Sequence, residues 1–146
     1  MAQPKFDDEE NRSLGELMDK VVKSDTEWRA ILDPLAYKVT RQHGTERAFS
    51  NDSFPKDAGV FHCVGCGAAL FDQAAKFESG TGWPSFWRPL DSALVGEKVD
   101  RGFFMTRTEV HCIRCEAHLG HVFPDGPKPT GLRYCINGVA LKFEKV

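Results

Sequence analysis

The side chains best suited to chemistry in this sequence are its five cysteines. Four of them form two Cys-x-x-Cys pairs, Cys63 with Cys66 and Cys112 with Cys115, and the fifth is Cys135. Two such pairs can supply four thiolates to a tetrahedral zinc ion at about 2.3 Å. Because such a site leaves no open position, we expect one structural zinc that ties distant parts of the chain together.

Two other interpretations of the paired cysteines stay open. Each pair could be a redox dithiol, although that motif is expected beside a strand–helix–strand unit, which this sequence lacks. Alternatively, the pairs could belong to a zinc-binding interaction module without catalytic activity. Such a module would not need the fifth cysteine or the polar residues around it.

The fifth cysteine lies in the segment 132–138, which alternates between polar and apolar residues. If this segment is a strand, Arg133, Cys135 and Asn137 share one face. A guanidinium beside a thiol favours the thiolate, which is the nucleophilic form of cysteine. We therefore interpret Cys135 as a candidate nucleophile on a long strand that continues to Phe143. The alternative is a small cysteine buried in the core.

Two histidines follow the second cysteine pair, His118 and His121. Residues three apart point to opposite faces of a regular strand, but Gly120 permits a bulge that would bring both imidazoles to one side. Imidazole titrates near neutrality and suits proton transfer. Zinc ligation or a structural role is the alternative for either histidine.

The segment 80–87 places three aromatic residues in a loop rich in glycine and proline. Gly80 and Gly82 stand just before Trp83 and indicate a backbone shaped to present its indole. We expect Trp83 to form an apolar wall of a substrate pocket. Phe86 and Trp87 fit the core better.

Together these residues resemble the type B methionine sulfoxide reductases, enzymes that reduce methionine-R-sulfoxide. The resemblance covers roughly residues 24–144. It is carried by residues 77–86, 118–123 and 131–137 and by the paired cysteines, and residues 37–46 fit it as well.

The resemblance implies a role for each of these groups. Cys135 would be the nucleophile and become a sulfenic acid, Trp83 would contact the S-methyl group, and the sulfoxide would lie among the residues His118, His121 and Asn137. Arg133 and Phe123 are expected on the substrate side of the site. The paired cysteines match the zinc ligands of one branch of the family.

One residue departs from the family's pattern. Many members have a cysteine where this chain has Thr81, and that cysteine resolves the sulfenic acid as a disulfide. Since the other four cysteines are assigned to zinc, we expect thioredoxin or another external thiol to reduce Cys135. A thiol peroxidase using Cys135 is a further alternative, disfavoured because the pocket residues suit a thioether better.

Helical signals are confined to the N-terminal third of the chain. Apolar residues recur at helical spacing over 13–23, and Ser24 with Glu27 predicts a capping box. We interpret residues 13–50 as mainly helical. Residues 1–23 are expected to be a partly disordered or helical extension, and residues 24–146 the reductase domain.

The rest of the sequence predicts a mainly β protein, with two antiparallel sheets in one compact body. Short apolar runs are separated by turns rich in glycine, proline and aspartate. The predicted strands cover residues 60–64, 68–71, 93–98, 103–110, 122–123 and 133–143.

The composition limits the possible partners and compartment. The chain has 146 residues, 41% of them hydrophobic, and a formal net charge of -2. No basic run indicates nucleic acid or anionic lipid, and no apolar stretch approaches the roughly 18 residues of a membrane span. We expect a cytoplasmic protein, because residues 1–12 lack the apolar core of a secretory signal. We also expect a monomer.

Overall fold

The computed structural model describes residues 19–102 and 105–146. Within these residues, two short helices precede nine strands. The helices are α1 (Asp25–Ile31) and α2 (Pro34–Gln42), and the strands are β1 (Gly59–Cys63), β2 (Ala69–Asp72), β3 (Lys76–Phe77), β4 (Ser85–Phe86), β5 (Val95–Arg101), β6 (Thr106–Cys112), β7 (His118–Phe123), β8 (Arg133–Ile136) and β9 (Leu141–Lys145). None of the described helices is long and apolar enough to cross a membrane.

The strands form the two antiparallel sheets that the sequence predicts. The smaller sheet has the order β2-β1-β9 and the larger one β3-β4-β8-β7-β6-β5. Phenylalanine rings join the two sheets: Phe86 of β4 stacks on Phe71 of β2 at 4.4 Å and meets Phe61 of β1 edge-on at 5.1 Å. All three side chains are fully buried. This aromatic contact makes one core from two sheets.

The capping box at the start of α1 is confirmed. The Ser24 hydroxyl accepts a hydrogen bond from the Glu27 amide at 3.2 Å, and the Glu27 carboxylate accepts one from the Ser24 amide at 2.8 Å. Pro34 opens α2 at its first turn, where the missing N–H costs nothing. Both helices lie inside the segment 13–50 interpreted as mainly helical, but that interpretation is wrong for residues 43–50, which form turns and irregular structure.

The helix expected over residues 13–23 is wrong for residues 19–23, which are irregular, and residues 13–18 lie outside the described part of the chain. The Val21 amide donates to the Arg114 carbonyl at 2.7 Å, and the Lys20 amine donates to the Ile113 carbonyl at 2.8 Å. These contacts hold the segment against the turn after β6. Tertiary hydrogen bonds therefore outweigh the helical periodicity of the sequence.

The single long strand expected over residues 133–143 is also wrong. Strand β8 ends at Ile136, a 3₁₀ turn follows at Gly138–Ala140, and β9 then joins the other sheet. Gly138 packs so closely on the carbonyl of Asn51 that a β-carbon there would collide with it. This crossing places Asn137 at the point where the chain passes between the sheets.

Candidate functional site

The two cysteine pairs lie on turns of matching geometry at the ends of β1 and β6. The Cys63 carbonyl accepts from the Gly67 amide at 2.9 Å, and the Cys112 carbonyl accepts from the Glu116 amide at 2.8 Å. Gly67 and Glu116 both have left-handed backbones, with φ of 81° and 64°. The repeated turn directs both cysteines of each pair toward the other pair.

The four sulfur atoms form one cluster. The Sγ atoms of Cys63 and Cys115 are 3.6 Å apart, as are those of Cys66 and Cys112, and all four lie within 4.8 Å of one another. A tetrahedron of sulfurs at about 2.3 Å from a central zinc has edges of about 3.8 Å. The thiols therefore fit a tetrahedral metal ion with only small adjustments.

Cys135 lines a cavity of about 280 Å³. It lies on β8, where it is paired with Ser85 of β4 on one side and with His121 of β7 on the other. The structure brings to this cavity six of the seven residues predicted for catalysis and substrate binding: Trp83, His121, Phe123, Arg133, Cys135 and Asn137. The seventh, His118, faces a neighbouring cavity.

A β-bulge in β7 explains where the two histidines lie. Gly120 pairs with Val110 and His118 with the next residue of β6, so Leu119 is an extra residue in β7. The bulge brings the rings of His118 and His121 to 5.5 Å, edge to face. The expected bulge is therefore present, but only His121 of the two histidines lines the cavity of Cys135.

His118 lies at the inner end of a short chain of polar groups. Its Nδ1 is 2.6 Å from a carboxylate oxygen of Glu109, and the same oxygen is 3.3 Å from Nε2 of the exposed His43. Burial lowers the pKa of His118, while the Glu109 carboxylate opposes that shift. Glu109 thus fixes the orientation of the His118 ring.

His121 is oriented by a carboxylate that the sequence reading did not single out. Its Nε2 is 2.9 Å from Oδ2 of Asp100, and the same oxygen accepts from Arg107 at 3.2 Å. The hydrogen bond from His121 lowers the pKa of Asp100. Since Asp100 reaches His121 only because β5 pairs with β6 and β6 pairs with β7, no local pattern could identify it.

Arg133 is held beside Cys135 by two contacts. Asp125 receives hydrogen bonds from Nε at 2.9 Å and from the terminal nitrogen at 3.1 Å, and the guanidinium lies 4.4 Å above the Phe123 ring. Burial raises the pKa of the Cys135 thiol, while the Arg133 charge and hydrogen bonds from Thr81 and Arg133 oppose that rise. The expected effect of Arg133 on the thiol is therefore present but smaller than that of burial.

Comparison with known proteins identifies the family. The family model described as the SelR domain matches residues 32–145, which is most of the chain. The chain belongs to the SelR domain family. Curated relatives named peptide methionine sulfoxide reductase MsrB occur in Hahella chejuensis, at 54% identity over 127 residues, and in Pseudomonas entomophila, at 57% identity over 126 residues. These alignments cover 86% and 85% of this chain and 91% and 95% of the relatives.

The SelR match confirms the resemblance stated from the sequence, and it confirms that the chain is an oxidoreductase of this family. A third relative of the same name, from Thiobacillus denitrificans, is 54% identical over 122 residues. The roles of individual residues and the domain boundaries stay predictions, because the matches do not test them.

Proposed function

We propose that this SelR domain protein reduces methionine-R-sulfoxide, free or in proteins, to methionine through Cys135. The observation that carries the proposal is the cavity in which the thiol, the Trp83 indole and the His121 imidazole lie together. The relatives are named for reduction of peptide methionine sulfoxide, which requires a nucleophile, an apolar wall and a proton donor. The cavity offers all three.

The reaction begins with attack of the Cys135 thiolate on the sulfoxide sulfur. His121, which Asp100 holds in place, donates a proton to the sulfoxide oxygen as the sulfur–oxygen bond weakens. The oxygen passes to Cys135 as a sulfenic acid, and methionine leaves with the electron pair on sulfur. Asn137 and Arg133 hold the polar end of the substrate, while Trp83 packs on its methyl group.

An external thiol completes the cycle. One thiol condenses with the sulfenic acid and releases water, and a second thiol displaces Cys135 and leaves as the oxidised disulfide. The position that carries a resolving cysteine in many members is Thr81 here, and this residue lines the cavity. Thioredoxin or a small dithiol is the proposed reductant.

The four-cysteine cluster is proposed to hold zinc. Cys63, Cys66, Cys112 and Cys115 would bind the ion, which supplies a closed crosslink between the ends of β1 and β6 and no reaction chemistry. We also propose that the protein acts as a monomer in the cytoplasm, without nucleic acid or membrane partners.

The proposal is tested by turnover on the two resolved epimers of a methionine sulfoxide peptide. We expect reduction of the R epimer with either thioredoxin or a dithiol, and turnover of the S epimer lower by at least about 100-fold. Product is measured by chromatography. Absence of R-epimer reduction with both reductants would overturn the assignment.

Replacing Arg133 with alanine tests how the thiol is activated. The Arg133 charge lowers the pKa of Cys135, so its loss should raise that pKa further and move the rate–pH curve to higher pH. Mass spectrometry of the zinc-loaded protein can monitor the alkylation of Cys135 by iodoacetamide. The rate of this alkylation should fall several-fold at neutral pH. The matched control is Arg88→Ala, since that guanidinium lies over Trp87. An unchanged curve would contradict the role of Arg133.

A further inference from the structure

Glu46 is a buried carboxylate that holds the turn after Asn137. This residue is only 2% exposed and lies on the segment between α2 and β1. One carboxylate oxygen accepts from the Gly138 amide at 2.8 Å, and the other accepts from the Val139 amide at 2.9 Å and from Asn51 at 3.2 Å. These amides open the 3₁₀ turn at which the chain crosses between the sheets.

The main chain of the same residue contacts two side chains of the proposed substrate site. The Glu46 amide donates to Oδ1 of Asn137 at 3.0 Å, and the Glu46 carbonyl accepts from the Trp83 indole N–H at 3.1 Å. Asn137 and Trp83 reach the cavity from different loops. Glu46 is therefore hydrogen-bonded to the Trp83 indole, to the Asn137 side-chain amide and to the turn that follows β8.

The surroundings of the Glu46 carboxyl fit an anchoring role. Burial raises the pKa of its carboxyl, and the hydrogen bonds from Val139, Gly138 and Asn51 oppose that shift. Among the ion pairs of residues 19–102 and 105–146, none involves Glu46. Main-chain amides thus take the place of a cation, which makes the carboxylate dependent on their positions.

We propose that Glu46 is a positioning residue that sets the place of the Trp83 indole and the Asn137 amide in the substrate cavity. The expected effects of Glu46 on KM and on epimer discrimination rest on the proposed function. Its expected effect on the positions of Trp83 and Asn137 rests on the hydrogen bonds alone. The carboxylate fixes the Glu46 backbone against the turn, and that backbone then fixes Trp83 and Asn137. Recognition of the methyl group and of the epimer follows from this arrangement.

The first test replaces Glu46 with glutamine, which keeps the size of the side chain. One oxygen becomes an NH₂ group. One hydrogen bond is lost if that group faces the Gly138 amide, and two are lost if it faces Val139 and Asn51. Displacement of Trp83 should raise KM for the R epimer about ten-fold with a smaller change in kcat, and lower the discrimination against the S epimer. The matched control is Glu144→Gln, the same substitution at a carboxylate on β9 that is 60% exposed, which should keep KM near wild type.

The second test asks whether Glu46 acts through Trp83. Trp83→Phe keeps an aromatic wall but removes the N–H that binds the Glu46 carbonyl, and it too should raise KM. If the two residues act together, the double variant should have a KM no higher than that of the more severe single variant. Multiplied effects in the double variant would overturn the inference. A wild-type KM in Trp83→Phe would overturn it even if Glu46→Gln did not fold.

The third test does not use catalysis. Indole N–H exchange with solvent is followed by NMR for Trp28, Trp83 and Trp87, with the Trp83 signal assigned by its absence in Trp83→Phe. Glu46→Gln should speed exchange at Trp83 and leave Trp28 unchanged. Unchanged protection of Trp83 would contradict the positioning role. Failure of the wild-type protein to reduce the sulfoxide would instead refute the proposed function, and the exchange result would still decide the role of Glu46.

Discussion

Replacement of Cys135 by serine is expected to lower kcat for methionine-R-sulfoxide by at least about a thousand-fold. The serine hydroxyl is close in size to the thiol, but it is a far weaker nucleophile and cannot store oxygen as a sulfenic acid. Steady-state turnover with a small dithiol measures the loss. Zinc content and the melting temperature should stay near wild type, because Cys135 lies outside the four-sulfur cluster.

The wild-type protein supplies the companion experiment. After reaction with excess sulfoxide and no thiol, a sulfenic-acid reagent should label Cys135 alone, as mass spectrometry of peptides would show. Thr81→Ser, which keeps a hydroxyl at this position of the cavity lining, serves as a control that should retain activity. Retained activity in Cys135→Ser would refute the role of Cys135 as the nucleophile. An internal disulfide to Cys135 as the sole oxidised product would refute reduction by an external thiol.

Replacement of Cys63 by serine is expected to unfold the protein or lower its melting temperature sharply. A structural zinc contributes on the order of 10 kcal/mol to folding, against a typical total stability of about 5–15 kcal/mol. The Cys63 sulfur is buried in the cluster, so no solvent ligand can replace it without opening the turn. Thermal unfolding followed by circular dichroism, together with the metal content, measures the effect.

Two comparisons make the zinc experiment decisive. Cys115→Ser should have the same effect from the other turn, because both sulfurs belong to one cluster. Cys135→Ser, the same substitution outside the cluster, should bind one zinc and melt near wild type. Metal analysis that finds neither zinc nor iron in the wild-type protein would refute the metal site.

Local pattern was enough to predict the elements that depend on neighbouring residues. The two Cys-x-x-Cys turns, the capping box of Ser24 and Glu27, and the alternation around Cys135 involve groups a few residues apart. The predicted strands at residues 60–64 and 68–71 correspond to β1 and β2 for the same reason. Strand boundaries near β5 and β7 were less accurate, since pairing with neighbouring strands sets where a strand begins and ends.

Contacts between distant segments decided the rest. The helical periodicity before Ser24 did not show that Val21 would bond to Arg114, and the apolar run after Cys135 did not show that the chain would turn at Gly138. Asp100 and Glu46 act on residues far along the chain, and their sequence neighbours give no sign of it.

Residue types and spacing are enough to indicate which groups of this SelR domain protein could do chemistry: the four paired cysteines, the candidate nucleophile and the aromatic and imidazole groups beside it. How these groups are arranged depends on the tertiary fold. The bulge in β7 puts His121 beside Cys135 and His118 in the next cavity, and Glu46 joins Trp83 to Asn137. A side chain's type and its near neighbours can be read along the chain, whereas its orientation depends on hydrogen bonds between strands and loops that meet only after folding.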